Sequence, residues 1–448
     1  MSLDIYSLIN EANQLWENAL AENPSLKDKT YSDFKDKNNR QVIDLVQEGG
    51  GMLGIALVGY TYILEKAGLR ISSYAGASAG AINATYLASI SDSIYDKENG
   101  SKSIETLKLL AETDMSSFMD GSKFVKFILR NPMDDYGMSK RFYIFLFAFC
   151  GLFIGFNLLF FFLSTQINIW LNISYPRVIT WLLGTIGGIL TIYLFYKTLR
   201  WILGAKIGLN RGKIFYDWMK SSLDKHSANK IHLPVIEGTH FGQPSVINTR
   251  RLVLISASDT SKKIVKLPAD AKDYFAESDN THPAEYVRAS MSIPFFFDIY
   301  SPSKPVDTLT PEQFVDGGLL SNFPIRELNN KTLTCPRFPT FGVKLGREDL
   351  DMAEKKKSKP LIFHYVGNLL STLRSFYDIE FQKDNEEVAM LVGIVDTRDK
   401  TNQEKEINWL NFDLTNHAKE VLFFNGVEAA IEFLKGFDWE AYKLKRCP

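Results

Sequence analysis

The stretch from residue 42 to residue 90 constrains the fold of this chain more than any other part of the sequence. Val42 to Val46 is a short apolar run typical of a buried strand, and a glycine-rich segment follows it. Ile55 to Lys66 has helical spacing, Ile71 to Ala75 has a second strand pattern, and Ala81 to Ile90 a second helical one. This alternation of strands and helices predicts a layered α/β domain.

The same alternation returns in the second half of the chain. Leu252 to Ala257 and Thr340 to Leu345 are strand patterns, Phe314-Val315 is a strand end, and Glu285 to Met291 is a short helical pattern. We therefore predict one α/β domain in two halves, 41–140 and 204–346. Residues 1–40 are predicted to form an N-terminal helical extension and residues 347–448 a C-terminal helical extension, and residues 141–203 separate the two halves.

Two long apolar runs occupy the separating segment. Phe142 to Leu163 and Val178 to Tyr196 contain no charged residue, and each is close to the roughly 20 residues that cross a bilayer. They predict a two-helix transmembrane hairpin that interrupts the α/β domain. A buried helical hairpin in a large core is the alternative, although core helices rarely stay uncharged on every face.

Charges beside the runs predict the orientation of this hairpin. Lys140 and Arg141 precede the first run, and Lys197, Arg200, Lys206, Arg211 and Lys213 follow the second. The positive-inside rule then places the α/β domain and both termini in the cytoplasm. The pairs Gly151/Gly155 and Gly184/Gly188 have the spacing that lets membrane helices pack closely, either with each other or in a homo-oligomer.

Overall composition excludes several classes of protein. Lys and Arg number 51 against 52 Asp and Glu, a balance without the basic excess of a nucleic-acid-binding protein. Cys150, Cys335 and Cys447 are too few and too scattered for a disulfide framework or a four-thiolate zinc site, and they fit a reducing compartment. We expect no metal and no cofactor.

A G-x-S-x-G sequence, Gly76-Ala77-Ser78-Ala79-Gly80, lies between the second predicted strand and the second predicted helix. In this context Gly76 and Gly80 permit a sharp turn that holds the Ser78 hydroxyl clear of the sheet at the N-terminus of a helix. The pattern predicts a nucleophilic serine.

One strand-helix unit earlier stands Gly49-Gly50-Gly51-Met52-Leu53-Gly54. It matches the G-x-G-x-x-G of dinucleotide sites, but the second strand runs into the serine turn and no acid follows it to bind a ribose. Consecutive glycines instead let the N–H groups of Gly49, Gly50 and Gly51 point at one spot, which predicts an oxyanion hole.

A serine nucleophile needs a base, and the sequence offers two kinds. Asp316-Gly317-Gly318 follows a strand end, so Asp316 could accept the proton from Ser78 directly. Histidine is the usual base, and the order Ser, Asp, His would admit His364 or His417 in a triad.

Taken together, these segments resemble the patatin-like phospholipase family, of a bacterial type with an inserted hairpin. The resemblance covers roughly residues 41–140 and 205–346 and is carried in order by Glu48 to Gly54, Gly76 to Gly80, Arg288 to Phe296, and Asp316 to Gly318. One residue departs from the pattern, because Leu53 stands where many members carry Arg or Lys.

The resemblance implies a Ser-Asp dyad with Ser78 as nucleophile and Asp316 as base, an oxyanion hole from Gly49, Gly50 and Gly51, and motif support from Gly54, Gly317 and Gly318. It implies a structural role for the Arg288 to Phe296 segment, and neither histidine nor metal in catalysis. The leading hypothesis is a membrane-integral hydrolase of membrane-lipid acyl esters. The alternative is a catalytically silent, membrane-tethered lipid-binding or scaffold protein on the same fold.

Overall fold

The computed structural model describes residues 3–97, 100–118, 120, 133–138, 176–203, 210–226, 230–294, 296–329, 335–346 and 385–447, with isolated positions between 144 and 166. Its strands are β1 (Phe34–Asp36), β2 (Gln41–Gln47), β3 (Leu69–Ala77), β4 (Met133–Asp134), β5 (Gly137–Met138), β6 (Ile236–His240), β7 (Gln243–Ile247), β8 (Leu252–Ser258), β9 (Ile264–Leu267), β10 (Phe314–Asp316), β11 (Thr340–Leu345), β12 (Val392–Val395), β13 (Arg398–Asp399) and β14 (Lys405–Glu406). Its helices are α1 (Ile5–Glu22), α2 (Gly54–Lys66), α3 (Ala79–Ser89), α4 (Lys102–Glu112), α5 (Pro176–Leu203), α6 (Lys213–Asp224), α7 (Pro283–Ser290), α8 (Glu386–Ala389), α9 (Asn416–Gly436) and α10 (Trp439–Arg446).

A mixed sheet of ten described strands forms the centre of the molecule. Its middle strands β2, β3 and β8 run parallel, while β9 and β10 pair antiparallel with β8. Strand β11 pairs parallel with β2 on the edge opposite β3, and β12 pairs parallel with β11. The strands predicted at Val42–Val46, Ile71–Ala75, Leu252–Ala257 and Thr340–Leu345 are confirmed as β2, β3, β8 and β11.

Helices cover the sheet and enclose one large core, and a second, small cluster is formed by Phe34, Val42, Ile236 and Ile247. Helix α2 is buried along its whole middle, from Ile55 to Leu64, because the sheet lies on one side of it and α9 on the other. Close contact between α2 and α9 depends on two glycines. A Cβ on Gly59 would lie 2.1 Å from the Phe423 carbonyl oxygen, and a Cβ on Gly426 would lie 2.0 Å from that of Ala56.

The terminal regions are integral parts of this domain. Strand β1 joins the sheet between β2 and β6, and Leu8 and Trp16 of α1 are buried in the core. Near the other end, β12 adds a strand and α9 contributes Leu422 and Phe423 to the same core. The prediction of two helical extensions was wrong on this point, since short edge strands and buried helix faces are stabilised by partners remote in the chain.

One disulfide joins Cys335 to Cys447, whose Cα atoms are 5.1 Å apart although 112 positions separate them. The cysteine count did not predict this pair, because pairing depends on proximity in the fold. A disulfide is also unusual in the reducing compartment that the cysteine usage was expected to fit.

The predicted transmembrane hairpin is only partly within the described residues. Much of the first run, Phe142 to Leu163, lies outside them. The second run falls inside α5, whose described side chains include exposed apolar residues such as Trp181, Ile189 and Leu190. A search of the described residues found no helix both long and apolar enough to cross a membrane. The two-span prediction therefore has no support in this part of the chain.

Three of the four glycines predicted to pack the two runs together make no close contact with the described residues. A Cβ built on Gly151, Gly155 or Gly184 would have no atom within 4 Å. Close packing of the runs, whether within one chain or in a homo-oligomer, stays a prediction.

Candidate active site

Ser78 forms the sharp turn between β3 and α3. Its backbone has φ of 50° and ψ of −119°, a conformation that non-glycine residues rarely adopt. The N–H of Ser78 donates to the hydroxyl of Ser290 at 3.1 Å, and that hydroxyl donates to the carbonyl of Ile255. Such local strain persists only where neighbouring groups fix the backbone, and Ser290 does so here.

Two glycines of the G-x-S-x-G sequence make this turn possible. A Cβ on Gly76 would lie 2.4 Å from the carbonyl carbon of Gly80, and a Cβ on Gly80 would lie 2.2 Å from the Gln47 carbonyl oxygen. Both distances are far below van der Waals contact, so any larger residue would push α3 away from the sheet.

Asp316 pairs with β8 directly beyond the point where β3 stops pairing with it. Strand β9 covers residues 254–257 on one edge of β8, so β3 and β10 must share the other edge. On that edge Ala77 pairs with Ile255 and Asp316 pairs with Ser256. The chain turns away from the sheet at Ser78, and Asp316 fills the next pairing position on β8. Successive residues of a strand are about 3.3 Å apart, so the serine turn and Asp316 are neighbours.

The Asp316 side chain is buried and held by its own turn. One carboxylate oxygen accepts the N–H of Gly318 at 2.7 Å, and the backbone N–H of Asp316 donates to the Ser292 carbonyl. Gly317 packs against β8 so closely that a Cβ there would lie 2.0 Å from the Ile255 carbonyl oxygen. Gly317 and Gly318 therefore fix the carboxylate beside the serine turn.

The glycine loop passes directly beside Ser78. A Cβ on Gly49 would lie 3.0 Å from the Ser78 Cβ and 2.6 Å from the Asn322 Oδ1. The N–H of Gly49 donates to the Asn322 carbonyl at 3.1 Å, so this donor is already used inside the protein. In this structure Gly49 fits a packing role, contrary to its predicted place among the oxyanion donors.

Gly50 and Gly51 keep their amide groups available. Neither N–H makes a hydrogen bond with any residue that the structure describes. Gly51 has φ of +55°, and a Cβ on it would lie 2.4 Å from the Trp409 carbonyl oxygen. Gly54 ends the loop against α3, with a Cβ position 3.1 Å from that of Ala79.

Groups that the sequence did not single out hold this loop. The Asn322 amide donates to Glu48 Oε1 at 2.9 Å and to the Gly49 carbonyl at 3.0 Å, and Glu48 Oε2 accepts the Leu345 N–H. On the other side, the Met52 N–H donates to the Trp409 carbonyl at 3.0 Å. These bonds fix the loop without a basic residue at Leu53, which is buried.

An apolar cavity of about 700 Å³, its open mouth included, extends from the serine turn. Its lining comes from the glycine loop, the serine turn, α2, α3, α4, α6 and three loops, and consists of Gly51, Met52, Gly54, Ile55, Ser78, Ala79, Ile82, Asn83, Tyr86, Thr106, Leu109, Leu110, Met115, Phe118, Phe215, Trp218, Met291, Ile293 and Phe412. Because most of these side chains are apolar, the cavity suits a hydrocarbon chain.

The family can now be stated from comparison with known proteins. The profile of the family described as "Patatin-like phospholipase" matches residues 45–329, well over half of the chain. The chain belongs to the patatin-like phospholipase family. That membership makes it an enzyme of the lipid acyl hydrolase class, on a patatin-like α/β domain with a curled mixed sheet.

Two individual proteins are also similar. The uncharacterized protein YqhO of Bacillus subtilis (strain 168) is 26% identical over 394 residues, which are 88% of this chain and 98% of that protein. The crystal structure of VipD from Legionella pneumophila is similar to 91% of this chain and 71% of its own, at 15% identity and a TM-score of 0.36. That score is too low to bear on the fold.

The patatin-like segment from Arg288 to Phe296 holds a buried cation. The Arg288 guanidinium donates to the Ser292 hydroxyl at 2.6 Å and to the carbonyls of Arg211 and Asp298. Burial lowers the pKa of Arg288 to about 10, so the group stays charged near pH 7. These bonds tie α7, which carries Ser290, to the chain entering α6.

The histidines considered as bases have other places. His364 lies outside the described residues. His417 has its Nε2 3.0 Å from Asp399 and its ring half exposed. Asp399 also accepts a hydrogen bond from Tyr136, so His417 belongs to a polar cluster that includes none of the residues lining the cavity.

Proposed function

We propose that this patatin-like protein hydrolyses acyl esters of membrane lipids with Ser78 as nucleophile and Asp316 as base. The observation that carries the proposal is the strained Ser78 turn, which opens on the apolar cavity. In support, Asp316 pairs with the residue of β8 that follows the partner of Ala77. Strain at a single non-glycine residue is typical of a nucleophile held in one orientation.

In this mechanism Asp316 takes the proton as the Ser78 oxygen attacks the ester carbonyl. The new carbon–oxygen bond gives a tetrahedral oxyanion, which the N–H groups of Gly50 and Gly51 and the N-terminus of α3 stabilise. Asp316 returns the proton to the departing alcohol, and an acyl-enzyme remains. Water then attacks the acyl-enzyme, which frees the fatty acid and regenerates the serine.

The apolar cavity is proposed to hold the acyl chain. Each methylene buried there contributes about 0.8 kcal/mol of binding, so a long chain is retained without polar contacts. Loss of one oxyanion donor typically costs about 3 kcal/mol of transition-state stabilisation. An apolar cavity for the acyl chain and N–H donors for the ester oxygen together suit a lipid ester.

We further propose that residues 141–203 hold the protein at the membrane, with the catalytic domain and both termini in the cytoplasm. In support, both apolar runs are uncharged, and described apolar side chains of α5 such as Trp181 (69% exposed) and Ile189 (68%) face outward. Basic residues that follow the second run would meet anionic headgroups. A homo-oligomer formed through the glycine pairs belongs to the same proposal.

The test of the proposed reaction is release of labelled fatty acid from phospholipid vesicles by the full chain. We expect Ser78→Ala and Asp316→Asn each to reduce release by at least about a hundredfold, since each removes one member of the dyad. Ser89→Ala, on the same helix, and Asp307→Asn, in an exposed turn, are the matched controls and should retain activity.

A fluorophosphonate probe distinguishes the enzyme from a silent lipid-binding protein. The wild-type chain should be labelled at Ser78, and Ser78→Ala should not. Fatty-acid release that survives both dyad substitutions would rule out the proposed mechanism. A wild-type chain that binds vesicles but neither reacts with the probe nor releases fatty acid would favour the binding protein.

A further inference from the structure

Asn83 is a polar residue in the largely apolar wall of the cavity. It lies on the face of α3 that also carries Ile82 and Tyr86, and it is only 4% exposed. Its Nδ2 makes no hydrogen bond with any residue that the structure describes. Buried amide groups nearly always have a partner, so one without any calls for a specific explanation.

The other polar side chains on α3 and α4 in this wall are already paired within the protein. The Thr106 hydroxyl donates to the Lys102 carbonyl at 2.9 Å, and the Tyr86 hydroxyl lies 2.9 Å from His226 Nε2. Asn83 thus differs from these two neighbours, because its amide nitrogen has no partner among the described residues.

The position of Asn83 relative to Ser78 sets where a partner must be. Five residues along α3 correspond to about 7.5 Å along the helix axis. An acyl chain attached at Ser78 and lying along α3 would therefore pass Asn83 several carbons from its carbonyl group. A polar group at that point is part of the chain itself, not of the headgroup.

We propose that Asn83 is a specificity-determining residue that selects acyl chains carrying a hydroxyl group, an inference that rests on the proposed esterase function. A primary amide both donates and accepts hydrogen bonds, and a hydroxyl group can pair with either end of it. A carboxylate or amine in the chain is disfavoured, because no charged side chain is present among the cavity-lining residues that the structure describes.

The test compares esters that differ only in one hydroxyl. The full chain in detergent hydrolyses octadecanoyl p-nitrophenyl ester and a series of hydroxyoctadecanoyl esters in which the hydroxyl moves from near the carbonyl to the middle of the chain. We expect kcat/KM to favour one isomer, whose hydroxyl lies several carbons from the carbonyl, by about tenfold over the plain ester, as one well-placed hydrogen bond allows.

Two substitutions assign the preference. Asn83→Leu, similar in size but apolar, should bring the ratio of hydroxylated to plain ester close to one. Thr106→Val, which changes a cavity hydroxyl that already has a partner, should leave the ratio at its wild-type value. Thermal unfolding of both variants checks that each is folded.

Three results would overturn the inference. They are a wild-type ratio near one for every isomer, a ratio that Asn83→Leu leaves unchanged, and an equal fall in Thr106→Val. A ratio near one would mean that Asn83 binds a water molecule. All three require that plain esters are hydrolysed, whereas absence of any hydrolysis and of Ser78 labelling would instead refute the proposed function.

Discussion

Ser290 connects two parts of the proposed active site through a single hydroxyl. It accepts the N–H of Ser78 and donates to the carbonyl of Ile255, so it fixes the strained turn to β8. Ile255 pairs with Ala77, and Asp316 takes the next position on that edge. Ser290, which is 212 positions from Ser78 in the chain, thus sets the geometry of the nucleophile.

Replacement of that hydroxyl should weaken both folding and activity. In Ser290→Ala the buried N–H of Ser78 loses its acceptor, and we expect a loss of about 1–3 kcal/mol in the free energy of unfolding by urea, with a lower kcat. Ser222→Ala removes a hydroxyl that bonds only to its own helix at Trp218, and should change stability by less than about 0.5 kcal/mol. Equal effects in the two variants would contradict the assigned role.

Asp44 is an ionisable residue in the middle of β2. Burial raises the pKa of its carboxyl to about 6, although hydrogen bonds from Ser73 and the charges of Arg250 and Arg251 oppose the rise. In the unfolded chain an aspartate has a pKa of about 3.9, so the folded state binds more protons between these values. Stability must therefore fall as pH rises from about 4 to about 6, and then level off.

Asp44→Asn should remove this part of the pH dependence. We expect the free energy of unfolding of the wild type, relative to the variant, to fall by up to about 3 kcal/mol across that window. Chemical denaturation at intervals from pH 4 to pH 8 measures it. A difference between the two proteins that does not vary with pH would show that Asp44 keeps its ordinary pKa.

At the scale of elements, the contact of α2 with α9 leaves no room for larger side chains. Gly59 of α2 and Gly426 of α9 each face a carbonyl oxygen of the other helix, at distances that no Cβ can occupy. The two helices can therefore approach until their backbones touch. Since α2 begins at the end of the glycine loop, this contact also positions the proposed oxyanion donors.

Gly426→Ala should push the two helices apart. We expect a loss of about 1–3 kcal/mol in the free energy of unfolding, despite the better helix propensity of alanine. Gly436→Ala lies at the end of the same helix, where a Cβ would meet no atom within 4 Å, and should leave stability unchanged or slightly higher. Thermal unfolding compares them, and similar melting temperatures would contradict the close contact.

Over the whole molecule, exposed apolar surface is concentrated on the segment that was predicted to enter the membrane. Ile186, Ile189 and Leu190 on α5 are each more than half exposed. Leu309 (91% exposed) and Leu444 (80%) are more exposed still but lie outside this segment. Clustered apolar side chains mark an interaction surface, whereas single ones are ordinary.

This contrast gives a direct test of membrane attachment. The triple variant Ile186→Glu/Ile189→Glu/Leu190→Glu should lose most of its flotation with anionic vesicles, because each charge costs about 3 kcal/mol in a bilayer interior. Leu309→Glu/Leu444→Glu carries charges at two sites outside α5 and should float like the wild type. A triple variant that stays fully bound would show that α5 does not hold the protein at the membrane.

How far the sequence predicts this protein depends on the range of the interactions involved. The strands β2, β3, β8 and β11 and the helices α2 and α3 follow from local apolar patterns, and the serine turn follows from its glycines. The supports of the glycine loop do not, because the Asn322 amide and the Trp409 carbonyl have no local signature. Similarly, nothing local shows that β3 and β10 share one edge of β8.

The bond between the Met52 N–H and the Trp409 carbonyl has a consequence for synthesis of the chain. A ribosome that has already made the serine turn, and even the aspartate, still holds a nascent polypeptide whose glycine loop lacks this partner. The loop reaches its final form only after the segment around Trp409 has also been made.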